Sequence, residues 1–91
     1  MAKIEFIGDW NSCSGYANHL QGLARATSKI ADVMVSCQKP QGWEQQVSPE
    51  DYKLLSVQFV PDVTIAVTMP MHWRRILSMN PKKFYGFVIW E

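Results

Sequence analysis

The sequence predicts an α/β protein with a Rossmann-like open, mainly parallel sheet of about four strands and about three helices. Three observations predict it. First, segments with strand character alternate with segments of helical spacing along the whole chain, the pattern of βαβ units. Second, Lys3 to Ser28 runs from a strand through a small, polar turn directly into a helix. Third, the closing segment Phe84–Trp90 is apolar nearly throughout, the mark of a strand buried on both faces.

The opening strand is Lys3-Ile4-Glu5-Phe6-Ile7, which alternates and contains β-branched residues. Gly8 to Gly15 is rich in Gly, Ser, Asn and Asp and forms the turn. Helical spacing then holds from Tyr16 to Ser28, with Tyr16, Ala17, Leu20, Leu23, Ala24 and Thr27 on the inner side and Asn18, Gln21 and Arg25 on the wet side. Ser14 is the expected N-cap, because its hydroxyl can accept from an early helical N–H. Gly22 inside this helix reads as a place where another backbone must come close. A second strand, Ala31–Ser36, completes a βαβ unit with parallel strands.

Cys37 to Val47 is a loop punctuated by Pro40 and Gly42, and Trp43 within it must find a surface to cover its ring. Ser48-Pro49-Glu50-Asp51 announces a helix to about Ser56: a capping hydroxyl, proline in the first turn, then acids where the dipole favours them. Val57-Gln58-Phe59 reads equally as a frayed helix end or a short strand. Val63–Thr68 is a third strand. Met71–Met79 is a short helix with Trp73, Ile76 and Leu77 inward, stopped by Asn80-Pro81. The expected strand order is 2-1-3-4.

The chain of 91 residues is one domain, residues 1–91, with a formal net charge of +1. No basic stripe supports binding to a phosphate backbone, and no apolar run approaches the roughly 20 residues of a membrane span. The two cysteines, Cys13 and Cys37, have neither CxxC nor zinc spacing and read as reduced thiols of a cytoplasmic protein. Cys13, just before a helix start, is a candidate reactive thiol beside its plainer reading as a turn residue. No metal site is expected. Four strands and three helices leave sheet surface to cover, so the expectation is a chain that is the first part of a longer one.

Several landmarks together carry a family resemblance: Gly8-Asp9-Trp10 through Ser14-Gly15-Tyr16, Gln21–Ala26, Pro61-Asp62-Val63-Thr64-Ile65, and Phe84-Tyr85-Gly86-Phe87-Val88-Ile89-Trp90-Glu91. They resemble the N-terminal domain of retaining glycosyltransferases of the GT-B architecture, the group 1 (family 4-like) enzymes built from two Rossmann-like domains. Ala17 departs from the pattern, since a second glycine is usual there. The donor-binding domain and its paired-glutamate motif are not in this sequence.

The resemblance implies the acceptor-side part of an enzyme that transfers a sugar from a nucleotide-sugar donor to an acceptor. It implies no metal, no cofactor within this chain, and no activity of the chain alone. On that basis Asn11, Ser14, Gly15 and Tyr16 are candidates for substrate or phosphate binding, and His72 and Glu91 are candidate catalytic residues.

Each residue also has a plainer reading. Ser14-Gly15-Tyr16 can be an ordinary strand-to-helix turn, His72 a surface or capping histidine, and Glu91 simply the last residue. His19 lies off the apolar stripe. Asp9 can hold the turn, and Trp10 can be core or a sugar-stacking ring. Arg74-Arg75 with Lys82-Lys83 is a local positive patch, either a solvated face or a docking surface for an anionic acceptor or membrane. The expected partners are the missing donor domain, or further copies of the chain through the uncovered sheet, and a sugar acceptor; nucleic acid is not expected. The rival reading is a freestanding Rossmann-like module that binds or self-associates without catalysis. A dinucleotide-binding domain would need a GxGxxG turn and an acid ending the second strand, and neither is here.

Overall fold

A computed structural model describes residues 2–10, 15–37, 41–68 and 70–87. The elements are β1 (Lys3–Gly8), α1 (Gly15–Thr27), β2 (Asp32–Ser36), α2 (Pro49–Ser56), β3 (Val63–Val67), α3 (Trp73–Leu77) and β4 (Phe84–Gly86). All strand pairs are parallel, and the sheet runs β2-β1-β3-β4. This is the α/β, Rossmann-like open sheet that the sequence predicts.

The register sorts the side chains into two faces, because neighbours in a parallel ladder share a side and successive residues alternate. Ile4, Phe6, Val33, Val35, Ile65 and Val67 share one face. Leu20 and Ala24 of α1 and Leu54 and Leu55 of α2 cluster with that face to form the core. Glu5, Ile7, Met34, Ser36, Thr64, Ala66, Phe84 and Gly86 share the other. There α3 covers the β3–β4 half: Thr64, Ala66 and Ile76 are buried. Glu5, Ile7, Met34 and Ser36 remain half-buried. Glu5, a carboxylate on a central strand, accepts hydrogen bonds from Ser36 Oγ at 2.6 Å and Thr64 Oγ1 at 3.3 Å.

The start of α2 follows the sequence closely. Ser48 is its N-cap, and the Ser48 hydroxyl accepts from the Asp51 amide at 3.2 Å, with Pro49 in the first turn. Trp43 sits in a short 3₁₀ turn, Trp43–Gln45, and stacks on Tyr52 with ring centroids 5.3 Å apart. Gly42 precedes that turn with φ 76°, a left-handed backbone that suits glycine.

Four expectations are corrected. Gly22 is exposed, and a Cβ there would meet nothing within 4 Å, so it marks no close approach. Val57–Phe59 is neither helix nor strand. The segment Met71–Met79 splits into a 3₁₀ turn, Pro70–His72, followed by the five-residue α3; Leu77 is exposed because so short a helix has room for one inward stripe, taken by Trp73 and Ile76. Finally, β4 is not buried on both faces over Phe84–Gly86. It is an edge strand, and Tyr85 is 59% exposed. Residues 88–90 of the expected strand lie outside the described residues.

Candidate functional site at the carboxyl edge of the sheet

In open parallel sheets ligands bind outside the carboxyl ends of the strands, where connections leave in opposite directions. Here β1 leads left to β2 and β3 leads right to β4, so that point falls between β1 and β3. Gly8 ends β1 there, paired with Val67 at the end of β3. A Cβ on Gly8 would stand 2.8 Å from the Val67 carbonyl oxygen and 3.1 Å from Leu20 Cδ2. Only a residue without a side chain lets α1 settle this closely over the strand ends. The close approach expected at Gly22 is therefore found at Gly8.

The chain leaving β1 is anchored from the helix side. Trp10 is 2% exposed, which removes it as a ring for stacking on a sugar. Its carbonyl accepts from Gln21 Nε2. Its ring lies 5.5 Å beneath the Arg25 guanidinium, a cation–π contact. Arg25 in turn grips Asp51 of α2 with a fork of two hydrogen bonds, Nε to Oδ1 at 3.0 Å and Nη2 to Oδ2 at 2.7 Å. That hydrogen bonding raises the Arg25 pKa above its ordinary value, partly offset by burial. Arg25 and Gln21, expected on a wet side, are thus the clamp that holds the turn and α2 together.

Of the expected site residues, Gly15 opens α1, and Tyr16 is half-buried with its side chain packed against the core cluster. Ala17 is fully buried, so its methyl fills the core and not the mouth of the turn. Asn11, Ser14, Cys13 and Glu91 lie outside the described residues. His72 is exposed, past the end of β3, at the N-cap of α3, where its side chain makes no capping hydrogen bond. His19 of α1 meets Phe87, just beyond β4, with ring centroids 5.6 Å apart. The same edge therefore carries Gly8, Gly15, Tyr16, His19, Thr68, His72 and Phe87.

Trp73 fixes the far side of this edge. Its Nε1–H donates to the Thr68 carbonyl at 3.2 Å, and its ring packs edge-on to Phe84 at 6.0 Å. The ring occupies the space where a Gly86 side chain would be. Neither Gly8 nor Gly86 is separable by sequence from a turn glycine, since both roles arise from packing between distant segments. Among the described residues no group of three or more His, Cys, Asp or Glu could hold a metal ion. A groove of about 620 Å³ lies at the opposite end of the strands, between the end of α1, the start of β2 and α2.

No protein-family model matches the sequence, no curated protein is detectably similar to it, and no solved structure is detectably similar to its fold.

Proposed function

We propose that the chain is the acceptor-side half of a glycosyltransferase made of two Rossmann-like domains, with the nucleotide-sugar donor bound by a second domain outside this sequence. The supporting observation is the glycine-dependent close approach of β1, β3 and α1 at Gly8, at the switch point of an all-parallel 2-1-3-4 sheet. In this reading the backbone around Asn11, Ser14, Gly15 and Tyr16 contacts the acceptor. His72, exposed after β3, orients or deprotonates an acceptor hydroxyl. Glu91 is the carboxylate partner.

The chain alone binds no donor and turns nothing over. Titration with NAD and with several nucleotide sugars, followed by the ring resonances of His19 and His72, tests this. Micromolar binding of NAD overturns it in favour of a dinucleotide-binding domain. Joining the chain to the coding sequence downstream of it tests the positive side: the joined protein consumes a nucleotide sugar, and His72→Ala lowers kcat more than KM.

A second reading, a freestanding self-associating module, is favoured by the exposed edge at β4, where Tyr85 is uncovered. It requires a stable oligomer, which a measured solution mass decides.

A further inference from the structure

The formal charge of +1 conceals a segregation along the chain. From Val63 to Trp90 there are four cations, Arg74, Arg75, Lys82 and Lys83, and no acidic residue. The acids lie between Glu5 and Asp62 and at Glu91. All four cations are exposed and gathered on α3 and the turn that leads into β4. Lys82 reaches Asp62 only at 4.0 Å on the open surface, and Arg74, Arg75 and Lys83 take part in no ion pair among the described residues.

The same segment carries exposed apolar side chains: Met71 is 72%, Leu77 48% and Met79 65% exposed. At about 100° per residue, Trp73 and Ile76 face the sheet, Arg74, Arg75 and Ser78 point away from it, and Leu77 flanks them. Asn80, in a left-handed backbone with φ 55°, then turns the chain toward Lys82 and Lys83.

We propose that this surface docks on an anionic lipid bilayer. Four exposed cations, of which only Lys82 has an acid within 4.0 Å among the described residues, attract the negative leaflet, and the exposed apolar side chains of the same segment enter the headgroup boundary. A nucleic-acid backbone would reward the cations but not Met71, Leu77 and Met79, which is why a lipid surface fits better. The 3₁₀ turn Pro70–His72 follows the carboxyl end of β3, so docking brings the strand ends near the bilayer. The docking does not depend on the transferase reading.

The test uses the whole chain and sedimentable phosphatidylcholine vesicles, with and without roughly one part in four phosphatidylserine. Binding is expected only with the anionic lipid, weakening with salt. Arg74→Gln with Arg75→Gln is expected to weaken it roughly 25-fold, about fivefold per charge, and Lys82→Gln with Lys83→Gln similarly. Lys29→Gln, at the end of α1, leaves it unchanged. Met71→Ser with Met79→Ser lowers the binding that survives at high salt. These side chains are exposed, and an unchanged circular dichroism spectrum verifies the fold of each variant.

No binding, equal binding to both vesicle types, or binding indifferent to Arg74 and Arg75 overturns the docking. So does tighter binding to duplex DNA than to the vesicles with no effect of the methionine changes, which would instead identify a phosphate-backbone surface.

Discussion

Phe6, Val33, Val35 and Val67 lie beneath α1 and α2, each at most 5% exposed, while Glu5, Ile7, Met34 and Ser36, on the same strands one residue out of phase, are only half-covered. The difference is one of helix supply. Two helices of 13 and 8 residues serve the first face, and one helix of 5 residues serves the second. The second face responds with chemistry that tolerates water: a carboxylate bridged to two hydroxyls in place of an aliphatic contact. A parallel sheet is ordinarily covered on both sides, and among the described residues this face is the less covered of the two.

The contrast can be broken by mutation, and the largest effect belongs to the closed face. Phe6→Ala should cost about 3–5 kcal/mol, whereas Met34→Ala on the open face should cost less than about 1.5 kcal/mol, both read from denaturant midpoints. Equal costs would mean that the open face is as well packed as the closed one. Gly8→Ala comes next. Its methyl would press on the Val67 carbonyl, a backbone atom that cannot swing aside, so a loss of about 1–3 kcal/mol is expected.

Asp51→Asn sharpens the comparison at the rim, where it unpairs Arg25. With the Arg25 side chain 49% exposed, solvent limits the loss to about 1 kcal/mol. The hydrogen bond to Asp51 raises the pKa of Arg25, so its share of this stability is present at all ordinary pH and is lost only in strong alkali. A pH titration of stability between neutrality and mild alkali should therefore show no loss from this pair. The smallest effect has the opposite sign. Gly22→Ala, on the outer side of α1 with open space around it, should stabilise by about 0.5–1 kcal/mol in thermal unfolding.

Much of the frame is written locally and could be read locally. The Ser48-Pro49 start of α2 is chemistry among neighbours, and β1 and β3 announce themselves by β-branched, alternating runs. What escaped depends on residues distant in sequence. Arg25 and Asp51 are 26 positions apart, so nothing near Arg25 distinguishes a clamp from a solvated cation. Gly8 and Gly22 exchanged roles because close approach is a property of how α1 lies on the sheet, not of either glycine's neighbours. The apolar run at Phe84 suggested a strand buried on both faces, and hydrophobicity alone could not say that at the edge of the expected 2-1-3-4 order Tyr85 would be bare. Of the candidate site, Gly15, Tyr16 and His72 were placed by topology at the strand ends. The tight packing at Gly8 was invisible until β1 and β3 were adjacent.

Trp73 joins three pieces of chain with one side chain: the Thr68 carbonyl, the Phe84 ring and the bare Cα of Gly86. The outermost strand is consequently buttoned to the basic helix as well as zipped to β3. Peeling that margin away means drawing the indole out of its seat, so strand and helix should detach as a single flap whose departure the indole's own fluorescence would announce.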